Sequence, residues 1–448
     1  MYTADILKQE LKAAAGEQML DLRIDNVLLV NVFTNEIYPA SIGIYNQKIV
    51  SVNSSRTREA REVIDAKGAY AVPGFIDGHI HIETTLLTPE ALGEVIIPWG
   101  TTTLCIDAME IANVAGIDGL LAMVKDSEKL PFRLYMEIPS RVPTAPGLET
   151  TGGVLGVEEV TQLLKLDASV SLGELDPSKV LGMKEEYLEK ILASLGQRKI
   201  CNGHAIGLET DDLNIYGAGH LSDDHESVYY EELLDRLRLG IMPLVREGSS
   251  ERNVERLMKG VIEHHLPTEN IMFCTDDKHV NDIYEEGHIS FNIQKTIDLG
   301  MDPVEAIKIA TINAAKHFRL EDKIGCIAPG RYADIVLLKD LHKIKPWMVI
   351  KDGRVVADEN GARPCPQKAY PEKLLDTVHI SPAFSAADFR LEAEGKRAKC
   401  RIISMIPDQI INDEIQEWME VDHGEIHADV SRDILKLSVV ERYGKNGR

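Results

Sequence analysis

Ala71-Val72-Pro73-Gly74-Phe75-Ile76-Asp77-Gly78-His79-Ile80-His81 is an apolar run that closes on two histidines one residue apart. Read as a strand over 71–77 with the histidines at its exit, it puts both imidazoles on one face. Side chains alternate along a strand, so every second Cα lies about 6.6 Å from the last. Two ring nitrogens so disposed can close on one cation. A lone His-x-His pair fits a core or surface position equally well, so the weight falls on what recurs around it.

Short apolar, β-branched segments that end in a polar or ionisable residue follow at 102–107, 133–138, 169–174, 199–204, 219–223, 240–245 and 271–276, making eight with the first. Between them lie amphipathic stretches with helix start signals. Thr88-Pro89 opens one, and Asp302-Pro303-Val304-Glu305 opens another as N-cap, N1 proline and N3 acid. Eight buried strands alternating with helices over about 250 residues predict an α/β fold of the (β/α)₈ barrel type, with reacting groups at the C-terminal strand ends. A doubly wound open sheet would carry a glycine-rich phosphate turn after its first strand, and this sequence has none.

The barrel is expected over 71–322. Ahead of it, 26–30, 41–44 and 48–52 read as short strands. Behind it, 333–338 and 347–358 read the same way, with Lys351-Asp352-Gly353-Arg354 as a hairpin turn. Residues 1–70 and 323–362 are therefore expected to form one small composite β-sandwich. Residues 363–448 read as a partial C-terminal α+β domain. Its last stretch, Val439-Val440-Glu441-Arg442-Tyr443-Gly444-Lys445-Asn446-Gly447, reads as an apolar strand and turn with no partner strand behind it, so this region is expected to be truncated.

Composition narrows the partners. Lys and Arg total 49 against 72 Asp and Glu, a net charge of -23, which argues against affinity for nucleic acid or an anionic membrane. Six cysteines lie far apart without CxxC pairs, and no secretory leader precedes Asp5, so reduced thiols and a cytoplasmic location are expected. No apolar run approaches the ~20 residues that cross a bilayer. The partner is expected to be a small molecule, and an acidic barrel of this size is expected to self-associate as a homo-oligomer.

Four further strand ends carry potential ligands: Glu174, His204, His225 just past the sixth segment, and Asp276 on the eighth. In a barrel these ends converge on one mouth. Three donors suffice for one metal ion, and six allow two ions bridged by a carboxylate and a hydroxide. Oxygen and nitrogen donors favour Mn²⁺, Fe²⁺ or Zn²⁺ over a thiolate site.

The stretch Pro73-Gly74-Phe75-Ile76-Asp77-Gly78-His79-Ile80-His81-Ile82-Glu83 resembles the signature of the amidohydrolase superfamily. Within it, Asp107-Ala108-Met109-Glu110-Ile111-Ala112-Asn113-Val114, Asp224-His225-Glu226, Arg246-Glu247-Gly248-Ser249, Thr275-Asp276-Asp277-Lys278-His279, Glu285-Glu286-Gly287-His288-Ile289 and the run from Gly325 to Asp334 resemble the adenine deaminase family. The resemblance runs from about Leu22 through Val440. It implies hydrolysis of adenine to hypoxanthine and ammonia by a metal-activated hydroxide attacking C6 of the purine. His79, His81, Glu174, His204, His225 and Asp276 would hold a binuclear divalent centre, with Glu174 as the bridge. Asp276 would also shuttle the proton from the attacking oxygen to the departing amine.

A second acid must serve the ring at N1. Glu83 is the first candidate and Glu110 and Asp107 are the alternates, with Arg246 as a further substrate-binding residue. Each has a plainer reading. Glu83 could favour a helix N-terminus. Asp107 could orient a ligand histidine from behind. Arg246 could anchor Glu247 or a loop carboxylate, and Asp211-Asp212 and Asp223-Asp224 could belong to a solvated acidic face, except that Asp224 adjoins His225. Two departures from the family stand out: the family has histidine where Met109 stands, and its members continue past the end of this chain. The competing expectations are a cyclic amidase or related purine aminohydrolase of the same superfamily, and a truncated homologue that binds without turnover.

Overall fold

The computed structural model describes residues 2–53, 58–365, 367–407 and 409–445. Eight strands occupy the middle of the chain: Phe75–Ile80, Thr101–Asp107, Arg133–Ile138, Ser169–Leu175, Ile200–Gly203, Asp223–Asp224, Met242–Arg246 and Met272–Cys274. The first five pair in parallel, in chain order, as one sheet, and the last three pair in parallel as another. Single parallel bridges, Cys201 with Leu221 and Ile80 with Asp276, span the two junctions between these sheets. The fold is mixed α/β, with helices following most strands.

Local chemistry accounts for these elements. Thr101-Thr102-Thr103-Leu104-Cys105-Ile106 is rich in β-branched residues, which favour extended backbone. Thr101–Asp107 and Ser169–Leu175 are buried at every position, as strands covered on both faces must be. The start signals behave as read. Thr88 accepts from the Ala91 amide before Pro89–Ile96, and Asp302 accepts from Val304 and Glu305 before Pro303–Ile309.

Two strand assignments change. The run 71–77 divides at Gly74: Tyr70–Pro73 belongs to a different sheet and Phe75–Ile80 begins the parallel set. A Cβ on Gly74 would stand 2.0 Å from Thr102 Oγ1, so the crossing needs glycine. The sixth strand shrinks from 219–223 to Asp223–Asp224, because Gly219 ends the helix Thr210–Ala218 and His220 turns out with φ of 68°.

The flanks meet in one nine-stranded sheet among the described residues. Tyr70–Pro73 pairs with Leu20–Asn31 on one side and with Ile335–Asp340 on the other. Lys343–Lys351 and Arg354–Asp358 form the expected hairpin, with Asp352 and Gly353 at φ of 52° and 72°. A separate four-stranded sheet gathers Leu391–Glu392, Arg397–Met405, Asn412–Asp422 and Glu425–Ile426. The strand expected at Val439-Val440 is absent. Val439 is 92 % exposed, and the chain runs on to place the Tyr443 hydroxyl 3.3 Å from Asn113 Oδ1. Asn446 and Gly447 of that stretch lie outside the described residues.

Cys105, Cys201, Cys274, Cys326 and Cys400 are free thiols. No helix among the described residues is long and apolar enough to cross a membrane.

Candidate metal centre

His79 and His81 leave the first parallel strand on one face, as the two-residue period requires. Their Nε2 atoms stand 3.1 and 3.2 Å from a single oxygen, Glu174 Oε1, at the end of the fourth strand. His225 Nε2 reaches the same oxygen at 3.3 Å. Asp276 Oδ1 lies 3.8 Å from His79 Nε2 and 3.5 Å from His81 Nε2. His204 extends the cluster: Glu174, His204 and His225 offer ligand atoms within 4.8 Å of one another, as do His79, His81, Glu174 and Asp276. All six donors expected from the sequence are thus brought together. Except for His204, which is partly exposed, all are buried.

The far side of each imidazole decides what the near side can do. His81 Nδ1 is 2.8 Å from the carbonyl oxygen of Asp107, which can only accept, so Nδ1 carries the proton. The neutral ring then aims its Nε2 lone pair at a carboxylate oxygen 3.2 Å away, a repulsive contact unless a cation or a proton stands between. His79 Nδ1 lies 2.9 Å from Glu137 Oε2, which orients that ring the same way. His204 Nδ1 and His225 Nε2 complete no hydrogen bond, although Glu226 Oε1 is only 3.1 and 3.2 Å away. Converging lone pairs and carboxylates of this kind suit a divalent cation held by nitrogen and oxygen.

The protonation tendencies point the same way. Burial alone would push the His79 and His81 pKa values down, but Glu137 beside His79, Glu110 beside His81 and Glu174 between them outweigh it and hold both well above the ordinary imidazole value. Burial would raise Glu174, yet Arg141 and the three histidines bring it well below the carboxylate range. The cluster demands positive charge at its middle.

Asp276 is set by the backbone as well as by charge. Its φ is 57°, a left-handed conformation that aspartate tolerates better than most residues. Its amide donates to the His79 carbonyl at 2.9 Å, which ties the eighth strand to the first. Arg246 Nη1 donates to Asp276 Oδ2 at 2.6 Å and the guanidinium also spans Glu226 at 3.2 Å. Arg246 therefore grips two site carboxylates. Glu247 instead accepts from the Val254 amide and from Lys295.

The other candidates separate. Glu83 is half-buried and accepts from the Ile111 amide at 2.9 Å, so it caps the neighbouring helix Met109–Val124 and leaves a buried Oε2 without a partner. Burial, with Glu110's charge in second place, pushes its pKa up to about 7. Glu110 is half-exposed, with Oε2 3.3 Å from His81 Nδ1. Asp107 orients His81 through its carbonyl, whereas both of its carboxylate oxygens are buried without partners. Met109 sits at the helix start, with the Thr144 hydroxyl 3.8 Å from its sulfur. Asp223 and Asp224 are fully buried, not a solvated face. Asp223 takes Asn202, the Gly203 amide and His317, and Asp224 takes Arg236 and the Ala205 amide, which together fix the loop carrying His204.

Three residues that received no role from the sequence stand against the cluster: Glu137, Arg141 and Glu226. Glu137 at the third strand's exit and Glu226 beside His225 follow the strand-end rule that singled out Glu174. Arg141 lies in an irregular loop and had no periodic signal.

A model of the amidohydrolase family matches residues 70–357. The adenine deaminase of Desulforamulus reducens is 58 % identical over 444 residues, covering 98 % of this chain and 75 % of that protein. The adenine deaminase of Halalkalibacterium halodurans is 37 % identical, covering 99 % of this chain and 75 % of its own length. Among solved structures, an adenine deaminase superposes with a TM-score of 0.57 at 16 % identity, over 75 % of this chain and 99 % of that one. A β-aspartyl dipeptidase from Fervidobacterium islandicum gives 0.57 at 19 %, over 77 % and 98 %. At such identities these two likenesses concern the fold.

Proposed function

The chain belongs to the adenine deaminases of the amidohydrolase family, and we propose that the buried cluster is where it hydrolyses adenine to hypoxanthine and ammonia. The observation that carries this reading is the convergence of His79, His81 and His225 on one oxygen of Glu174, with Asp276 beside them. The eight parallel strands act as a (β/α)₈ barrel, and the bridges Cys201 to Leu221 and Ile80 to Asp276 support that closure. His79, His81 and Asp276 would hold one ion and His204 and His225 a second, with Glu174 shared. Mn²⁺, Fe²⁺ and Zn²⁺ are all compatible with this nitrogen and oxygen donor set. Such ions, when bound, lower the pKa of an associated water toward neutrality and so supply a nucleophile at working pH.

The protein's own groups do the rest. Asp276 Oδ2 is held by Arg246, which leaves Oδ1 facing the histidines. From there Oδ1 takes the proton of the attacking water and passes it to the exocyclic nitrogen as the C6–N bond breaks. Glu83, with Oε2 unpartnered beside the helix start, donates to ring N1 as the tetrahedral centre forms. Arg246, committed to Glu226 and Asp276, acts on substrate through Asp276. Glu110 and Asp107 complete the acidic surround.

The experiment is direct. Purified protein loaded with Mn²⁺ is incubated with adenine, and the ultraviolet spectrum is followed toward that of hypoxanthine while ammonia is assayed. Production of both in equal amounts is expected. A fully loaded protein that leaves adenine unchanged would refute the assignment.

A further inference from the structure

Resting on that reading of the metal centre, we infer that Arg141 governs whether the second cation binds. Two of the inward-facing carboxylates each divide their oxygens. Asp276 turns Oδ1 to the histidines and gives Oδ2 to Arg246, and Glu174 turns Oε1 to His79, His81 and His225 and gives Oε2 to Arg141. For Asp276 this division suits a ligand that binds through one oxygen. For Glu174 it matters more, because a carboxylate that bridges two ions through both oxygens must free Oε2. One ion can be held by His79, His81, Asp276 Oδ1 and Glu174 Oε1 with Arg141 in place. The second must displace the guanidinium or go without that oxygen.

Arg141 is delivered to this position by design of the loop. Ser140 Oγ donates to the carbonyl oxygen of Glu174 itself at 2.7 Å, so the loop and the bridging residue are registered to each other. Buried Lys190 donates to the Ser140 carbonyl at 3.0 Å and the Leu155 carbonyl at 2.9 Å, and the Leu155 amide donates to the Val142 carbonyl at 3.0 Å. Thr144 Oγ1 donates to the Arg141 carbonyl at 3.2 Å. The backbone on both sides of Arg141 is fixed while its side chain, 12 % exposed, points inward with Nε unpartnered. A guanidinium so placed supplies the positive charge the cluster demands and competes with a cation for the same oxygen. It makes the centre a one-ion site by default and a two-ion site when cation is plentiful.

The test is Mn²⁺ binding to chelator-treated full-length protein, followed by equilibrium dialysis and by the electron paramagnetic resonance of free and bound Mn²⁺. Wild type is expected to bind in two steps. In Arg141→Gln the ratio of the second dissociation constant to the first falls at least tenfold, whereas Arg141→Lys, which keeps the charge, stays within threefold of wild type. Circular dichroism establishes that each variant is folded. A folded R141Q whose ratio is unchanged or larger would overturn the inference and assign Arg141 to holding Glu174 in place. Failure of every protein, wild type included, to take up Mn²⁺ would instead bring down the metal-centre reading on which the inference stands.

Discussion

Arg246 Nη1 donates to Asp276 Oδ2 at 2.6 Å, and the Arg246 side chain is only 1 % exposed. The same guanidinium neutralises Glu226, so its removal leaves two buried carboxylates facing each other. Breaking a buried pair from one side typically costs about 3–5 kcal/mol. Arg246→Met is expected to lower the unfolding midpoint of metal-free protein by that order and to reduce kcat far more than it changes KM. Denaturant titration and steady-state kinetics check both. A variant as stable as its parent would show that the pair is energetically idle.

Asp276→Asn keeps the shape and the contact with Arg246 but cannot carry a proton. Loss of a positioned acid or base costs roughly 10²–10⁴-fold in rate. A fall of that size in kcat is expected, with at least one equivalent of Mn²⁺ still bound; wild-type turnover would remove Asp276 from the proton path.

Glu83 has an observed contact, with the Ile111 amide, and a proposed role as acid, and one pair of variants separates them. Glu83→Gln still accepts from the Ile111 amide, so the helix keeps its cap while the acid is lost, and about 10²-fold in kcat should go with little change in stability. Glu83→Ala loses the cap too and should cost a further ~1 kcal/mol in denaturant titration. Glu110→Gln, on a half-exposed side chain, is expected to cost less than tenfold. Equal effects of E83Q and E110Q on kcat would move the acid to the pair as a whole.

Much of this site was legible because its chemistry is periodic. His79 and His81 are spaced for one face of a strand, and Glu174, His204 and Asp276 lie at or just beyond the ends of apolar runs, where a barrel must converge. What escaped had no period. Arg141 is placed by hydrogen bonds from Ser140, Lys190 and Leu155, which no spacing in the chain announces. Asp223 read as solvated because adjacent acids usually are, with only Asp224 set apart by its neighbour His225, yet His317 and Arg236 arrive from 94 and 12 residues away to pair with Asp223 and Asp224. Gly74 concealed a change of sheet, because an apolar run reads alike on either side of it.

Gly173 is a position where size matters more than conformation. A Cβ there would lie 2.2 Å from Asp107 Oδ2, immediately before Glu174. Overpacking of this kind costs about 1–3 kcal/mol. Gly173→Ala should lower stability by that amount and weaken Mn²⁺ binding, since relief of the clash moves either Asp107 or the neighbouring Glu174. Parental affinity in the variant would show that the strand end yields elsewhere.

His288 gives a pH signature away from the metal donors. It is fully buried, 3.0 Å from Thr101 Oγ1 and 3.3 Å from Asp77, and burial followed by the charge of Lys278 lowers its pKa to about 3. The unfolded chain, with imidazole near 6.5, binds the proton more readily, so this stability is present above pH 6.5 and is lost as pH falls toward 3. The slope is about 1.4 kcal/mol per pH unit within that window. His288→Asn should show a shallower acid dependence of its melting temperature than wild type between pH 6 and 4. Parallel curves would mean that His288 takes up its proton in the folded protein without penalty.

The seam at Tyr70–Pro73, held between Leu28–Leu29 and Ile335–Leu338, bears on how the molecule is born. During synthesis the first side of that seam can close as soon as it leaves the ribosome, but the other side waits for some 260 further residues, a delay of tens of seconds at ordinary elongation speeds. Until then a row of amide and carbonyl groups lies open to any passing strand. The histidines of the cluster begin just beyond that row, so the emerging polypeptide carries its most adhesive edge next to its most valuable one, and the arrival of Ile335–Leu338 covers that edge and removes the hazard.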